Sequence, residues 1–201
     1  MGYTVLISNS LGEDEQEVKK IEQLLEQRVD AIILIGGRVD DTHTNQEFVS
    51  KIQPFIEHIP LIVTGKLDKV ECYQVQIDSA KAIELVMEYL IGLNHKEIAI
   101  IGGRMDVLST YEKFEGYKKI LKKHQMEYKQ EYVGTDGGYD YDTGYRNMNN
   151  MLDNNHIPSA VISINDFAAS GIIRSIMEHG YHVPEDISVI SYDNSYIANL
   201  L

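Results

Sequence analysis

One cysteine, Cys72, is all the thiol chemistry that this 201-residue chain carries. A single cysteine closes no internal disulfide, which excludes a stapled secreted scaffold and suits a reducing cytoplasm. Long apolar runs are also missing: none approaches the roughly 18–20 residues that span a bilayer. Met1 leads into Gly-Tyr-Thr-Val without a basic segment and an apolar core behind it, so no signal peptide and no membrane association are expected. Basic residues are scarce, with 18 Lys and Arg against 31 Asp and Glu, a formal charge of −13. Nonspecific DNA affinity comes from cations neutralising phosphates, so the chain makes a poor nucleic-acid surface of its own. The basic residues that do cluster, Lys113, Lys118, Lys119, Lys122 and Lys123, follow helical spacing and read as a solvated helix face.

Enzyme signatures are missing as well. The Gly-Gly-Arg turns at residues 36–38 and 102–104 lack the spacing of a dinucleotide fingerprint or a phosphate loop, and no nucleophile elbow occurs. His179 and His182 flank Gly180-Tyr181 with no cysteine or carboxylate set to complete a metal site. The acidic loop from Asp136 to Asp142 lacks the full calcium-loop pattern. Cys72 has no histidine partner in sequence and reads as a small packed side chain. The reading is therefore not an enzyme, with no cofactor and no metal.

What is present is a regular alternation. Continuous apolar runs at residues 31–35 (AIILI), 60–64 (PLIVT), 97–101 (EIAII), 160–164 and 187–192 read as strands buried on both faces, and residues 4–8 (TVLIS) and 73–77 as two more. A weak strand is expected at residues 130–133. Helix-period segments lie between them, one carrying Ile83, Val86, Met87, Leu90 and Ile91 on a single stripe. Alternation of this kind predicts an α/β fold with parallel sheets and helices on both faces. AIILIGGRVD at residues 31–40 echoes EIAIIGGRMD at residues 97–106. Either any strand-to-helix turn favours such small residues, or the chain is two similar halves. On the second view the domains are residues 1–94 and 95–201, joined near Leu93-Asn94-His95.

Polar residues recur at the strand ends: Asn9, Asp78, Asn165 and Asp193. Each alone reads as a turn former or helix cap. Together they suit a polyhydroxylated ligand, because carboxylates accept from hydroxyls and Asn both donates and accepts. The closing strand–helix–strand segment should place Asn165 and Asp193 side by side beyond the carboxyl ends of neighbouring parallel strands. Tyr139, in the glycine-rich loop, is the aromatic candidate for an apolar ligand face.

Several segments resemble the lactose-repressor/galactose-repressor family: residues 28–34 (RVDAIIL), 95–103 (HKEIAIIGG), 158–161 (PSAV) running to Asn165-Asp166, and 183–190 (VPEDISVI) running into Tyr192-Asp193-Asn194. The resemblance covers essentially the whole chain in order. It implies two Rossmann-like subdomains forming a periplasmic-binding-protein-like clamp on a small, sugar-like effector. It also implies a cytoplasmic, homodimeric transcription regulator that reaches DNA through a helix-turn-helix module outside this chain, and that the chain lacks segments at both ends which would complete its subdomains. By the same resemblance the ligand contacts fall on Asp78, Lys113, Tyr139, Asn165 and Asp193, with Asp166 as a helix cap. Lys113 stands where the family usually carries Arg three residues before a glycine, here Gly116, and Lys lacks the planar fork of Arg. Asn94 and Ser191 stand where the family usually has Gly. The alternative reading is a solute-binding protein of a transport system, which shares the clamp.

Overall fold

The computed structural model describes residues 2–10, 13–135 and 137–200. The chain divides into two compact units, residues 1–77 and 78–201. In the first, strands β1 (Ile32–Leu34), β2 (Leu61–Val63) and β3 (Tyr73–Gln74) form a parallel sheet in that order. Helices α1 (Asp14–Glu26) and α2 (Gln46–Ile56) contribute Ile21, Phe48, Val49, Ile52 and Ile56 to a core with Ile32, Leu61 and Val63. Asn45 caps α2 by accepting the Phe48 amide at 3.0 Å. The other face of the sheet is open. Ile33, Ile62 and Tyr73 stand in one register row, and Ile33 is 61% and Tyr73 69% exposed.

The expected strand at residues 4–8 does not form: these residues join no ladder, and Val5 and Ile7 are exposed. An alternating pattern makes a strand only when its backbone N–H and C=O groups meet a partner, and the described sheet begins at β1 with no strand outside it.

The second unit carries a four-stranded parallel sheet in the order β5-β4-β6-β7, from β4 (Ile98–Ile101), β5 (Val133–Gly134), β6 (Ala160–Ser163) and β7 (Ser188–Ile190). The weak strand expected at residues 130–133 is a 3-10 turn, Gln130–Tyr132, leading into β5. Every residue of β4 and β6 is buried, as continuous apolar runs demand. Helices α3 (Ser79–Gly92) and α4 (Leu108–Lys123) cover one face, packing Ile83, Met87, Leu90, Tyr117 and Leu121 on Ile98, Ile100, Ala160 and Ile162. Helices α5 (Tyr141–Asp153) and α6 (Asp166–Glu178) cover the other, with Met148, Met151, Ile172 and Ile176 on Ala99, Ile101 and Val161.

The boundary therefore falls at 77/78 and not at the expected 94/95. The stripe on α3 is satisfied by β4 and α4, which makes α3 the first helix of the second unit, and residues 93–95 are only its cap and the turn that leads into β4. The echoed Gly-Gly pairs do share a backbone requirement. Gly36, Gly37, Gly102 and Gly103 all take positive φ, and a β-carbon on Gly102 would stand 2.6 Å from Ile164 Cγ2. Among the described residues no helix is long and apolar enough to cross a membrane.

Candidate functional site

In the second unit the chain leaves β4 over one face of the sheet, through α4, and leaves β6 over the other, through α6. Two adjacent parallel strands whose connections diverge open a crevice beyond their carboxyl ends, where α/β sheets bind ligands. Gly102 and Gly103 line this point, and the Gly103 amide donates to the Gly138 carbonyl at 2.8 Å. That bond holds the glycine-rich loop against the end of β4. Asp136 of that loop lies outside the described residues.

Ile162 of β6 lies opposite Ile190 of β7, and Asn165 and Asp193 each come three residues further along the chain, past the last paired residues of these neighbouring strands. Asn165 caps α6, its Oδ1 accepting the Ala168 amide at 2.8 Å, while its Nδ2 donates to the Tyr139 carbonyl at 2.9 Å. One N–H and one acceptor site of the amide remain for a ligand. The Tyr139 hydroxyl meets Thr110 Oγ1 at 3.0 Å, and Thr110 is 1% exposed. Tyr139 is thus held at both its backbone and its phenol.

Lys113 lies one turn after Thr110 on α4, and its Nζ sits 4.6 Å from the centroid of the Tyr192 ring, a cation–π contact. Burial lowers the Lys113 ammonium below the usual lysine range, and the neighbouring carboxylates of Asp193 and Glu112 pull the other way. Burial also pushes the Tyr192 phenol up, and its hydroxyl has no hydrogen-bond partner among the described residues. Asp193 itself is exposed. Lys113, Tyr192 and Asp193 form one group, and Thr110, Tyr139 and Asn165 another. Asp78 joins neither: it is exposed and caps α3, its Oδ1 accepting the Lys81 amide at 2.8 Å.

Two features were not visible from the chain. Thr110 and Tyr192 contact the expected residues Tyr139 and Lys113, and the only signal for Thr110 was its position three residues before Lys113 on one helix face. Asp166 was expected to cap α6, but Asn165 does this, and Asp166 Oδ2 accepts the Ser195 amide at 2.6 Å. Among the described residues no group of three or more His, Cys, Asp or Glu side chains is placed to hold a metal ion. His179 and His182 meet Asp153 and Asp186, at 3.1 Å and 3.0 Å, in separate pairs. Burial pushes the Cys72 thiol up, away from thiolate reactivity.

A family model for the periplasmic binding protein domain matches residues 1–198. The chain belongs to that family. Within it, catabolite control protein A of Staphylococcus epidermidis is 30% identical over 200 residues, which is 99% of this chain and 58% of that protein. The crystal structure of the transcription regulator CcpA of Lactococcus lactis superposes with a TM-score of 0.81 at 26% identity, covering 98% of this chain and 69% of that one. The lac repressor dimer, solved with operator and the anti-inducer ONPF, superposes with a TM-score of 0.77 at 25% identity, covering 92% of this chain and 61% of that one. The chain thus spans little more than half the length of the curated relatives it matches. These relatives are transcription regulators of the lactose-repressor type and not enzymes.

Proposed function

We propose that this chain is the effector-sensing and dimerising region of a bacterial, cytoplasmic transcription regulator. Its crevice at the ends of β4 and β6 takes a small, sugar-like ligand, and DNA is reached through a helix-turn-helix module. What supports the reading is that Lys113 with Asp193, and Tyr139 with Asn165, form two polar and aromatic groups in the second unit, the latter at the carboxyl ends of its parallel sheet. Two aromatic rings, an amide with spare capacity, an ammonium and a carboxylate suit a ligand with apolar ring faces and a rim of hydroxyls. Asp78 is the fifth proposed contact, through the carboxylate oxygen that its helix cap leaves over. The names of the relatives favour a regulator over a transport solute-binding protein. Exposed Tyr141, Phe167 and Tyr196 on the second unit offer apolar surface for a second copy. In the longer protein the ligand controls DNA binding by favouring one of two arrangements, to the extent that it binds one more tightly.

A thermal-shift screen of mono- and disaccharides, sugar phosphates and nucleobases tests the ligand class. A sugar present at a hundred times its Kd stabilises the folded state by about 2.7 kcal/mol, an easily read shift. Calorimetry on Asp193→Ala should then show a loss of roughly ten- to a hundredfold in affinity. Stabilisation by nucleobases alone would overturn the sugar assignment, and unchanged affinity in Asp193→Ala would remove that residue from the site.

A further inference from the structure

The turn that carries Tyr192 and Asp193 has little of its own to hold it. β7 ends at Ile190, a 3-10 turn occupies Tyr196–Asn199, and Asp193, Asn194 and Tyr196 are exposed. Its anchor comes from α6. Asp166, the first residue of that helix, is 2% exposed, and its Oδ2 accepts the backbone N–H of Ser195 at 2.6 Å. Because Asn165 already supplies the cap, the Asp166 carboxylate is not consumed by its own helix. Burial pushes this carboxyl up, but the donors of the turn, the Ser195 amide foremost in the geometry, outweigh burial and hold it below the usual carboxylate range. A buried anion is costly unless a donor meets it, and here the Ser195 amide at the far end of the turn does so. The positive end of the α6 dipole favours the same charge. The carboxylate is satisfied when the turn keeps one shape, and that shape lays the Tyr192 ring against the Lys113 ammonium.

We propose that Asp166 is a positioning residue of the crevice: its carboxylate holds the Ser195 amide and so anchors the turn after β7, in which Tyr192 packs on Lys113 and Asp193 stands beside them. The role rests on the reading of this crevice as a ligand site, but its geometry can be measured with no ligand present.

The test is competitive acylation of the 201-residue chain with limiting acetic anhydride, reading Lys113 against exposed Lys119 by mass spectrometry. Asp166→Ala removes the clasp. It should raise the Lys113-to-Lys119 ratio about tenfold, the change that loss of one charge-assisted hydrogen bond gives in the population of the released turn. Asp166→Asn keeps an acceptor oxygen without the charge and should raise the ratio about threefold by the same arithmetic. Leu152→Ala, which thins the core under α5, separates positioning from general loosening and should leave the ratio unmoved. An unchanged ratio in a folded Asp166 variant, or an equal rise in Leu152→Ala, overturns the proposal. Should Asp166→Ala not fold, Asp166→Asn decides by the same ratio. A failed sugar screen would overturn the ligand reading and leave this measurement intact.

Discussion

Helices α5 and α6 meet through two glycines, and adding one methyl group to either tests the packing of the second unit. A β-carbon on Gly144 would stand 2.0 Å from the Ala168 carbonyl oxygen, and one on Gly171 would stand 2.1 Å from the Tyr141 oxygen and 2.6 Å from the Tyr145 nitrogen. Real β-carbons essentially never come within 3.0 Å, so the helices must part by about 1 Å for either substitution. The atoms in the way are backbone, which has no rotamer to escape into. Opposing this, Gly→Ala inside a helix ordinarily gains about 1 kcal/mol. Overpacking costs about 1–3 kcal/mol, and parting the helices also loosens Met148, Met151, Ile172 and Ile176 behind them. The clash should win, with a net loss of about 1–2 kcal/mol for Gly144→Ala. One separation relieves both clashes, so Gly144→Ala combined with Gly171→Ala should cost less than the sum of the two. Urea unfolding followed by far-ultraviolet circular dichroism reads this as a lower midpoint at unchanged slope. A gain in stability from Gly144→Ala would refute the close crossing, because helix propensity would then be the only effect left.

The Asn165 side chain makes two bonds that separate substitutions resolve. Asn165→Ser keeps a cap for Ala168 but loses the donor to the Tyr139 carbonyl, and should cost about 1 kcal/mol; Asn165→Ala loses both and should cost about 2–3 kcal/mol. Equal losses by denaturant titration would show that the Tyr139 bond contributes nothing. His179 should make stability depend on pH. Its Nδ1 faces the Ser175 carbonyl at 2.8 Å and its Nε2 faces Asp153 at 3.1 Å, so the protonated ring donates to both acceptors and the neutral ring to one. The Ser175 carbonyl first, then Asp153, raise its pKa above the ordinary 6.5. A raised folded-state value gives a contribution that is complete below the unfolded value and lost as pH rises through the folded one. His179→Gln should therefore be less stable than the natural chain at acidic pH, with the gap closing at alkaline pH. A gap independent of pH in urea titrations would rule this out.

Much of the fold is legible along the chain because its signals are local. The runs at residues 97–101 and 160–164 are continuous and apolar, and they emerge as β4 and β6, buried on both faces. The Gly-Gly pairs after residues 35 and 101 mark turns of positive φ that other residues rarely adopt. Residues 4–8 carry an equally good strand pattern and form none, since a ladder needs a partner that the pattern cannot name. The stripe of Ile83, Met87 and Leu90 announces a helix without saying which sheet will cover it, and that choice moved the boundary to 77/78.

The sequence by itself determined the alternation of parallel strands and helices, and with it the strand ends where Asn165 and Asp193 stand, because side-chain period and turn chemistry act over a few residues. Only the tertiary structure decided that Lys113 packs on Tyr192, that Thr110 holds Tyr139, and that Asp166 turns from its own helix to the 191–195 turn. Each of these contacts joins segments 29 or more positions apart in the chain. Their distances are set by crossovers and sheet register, which no local period encodes.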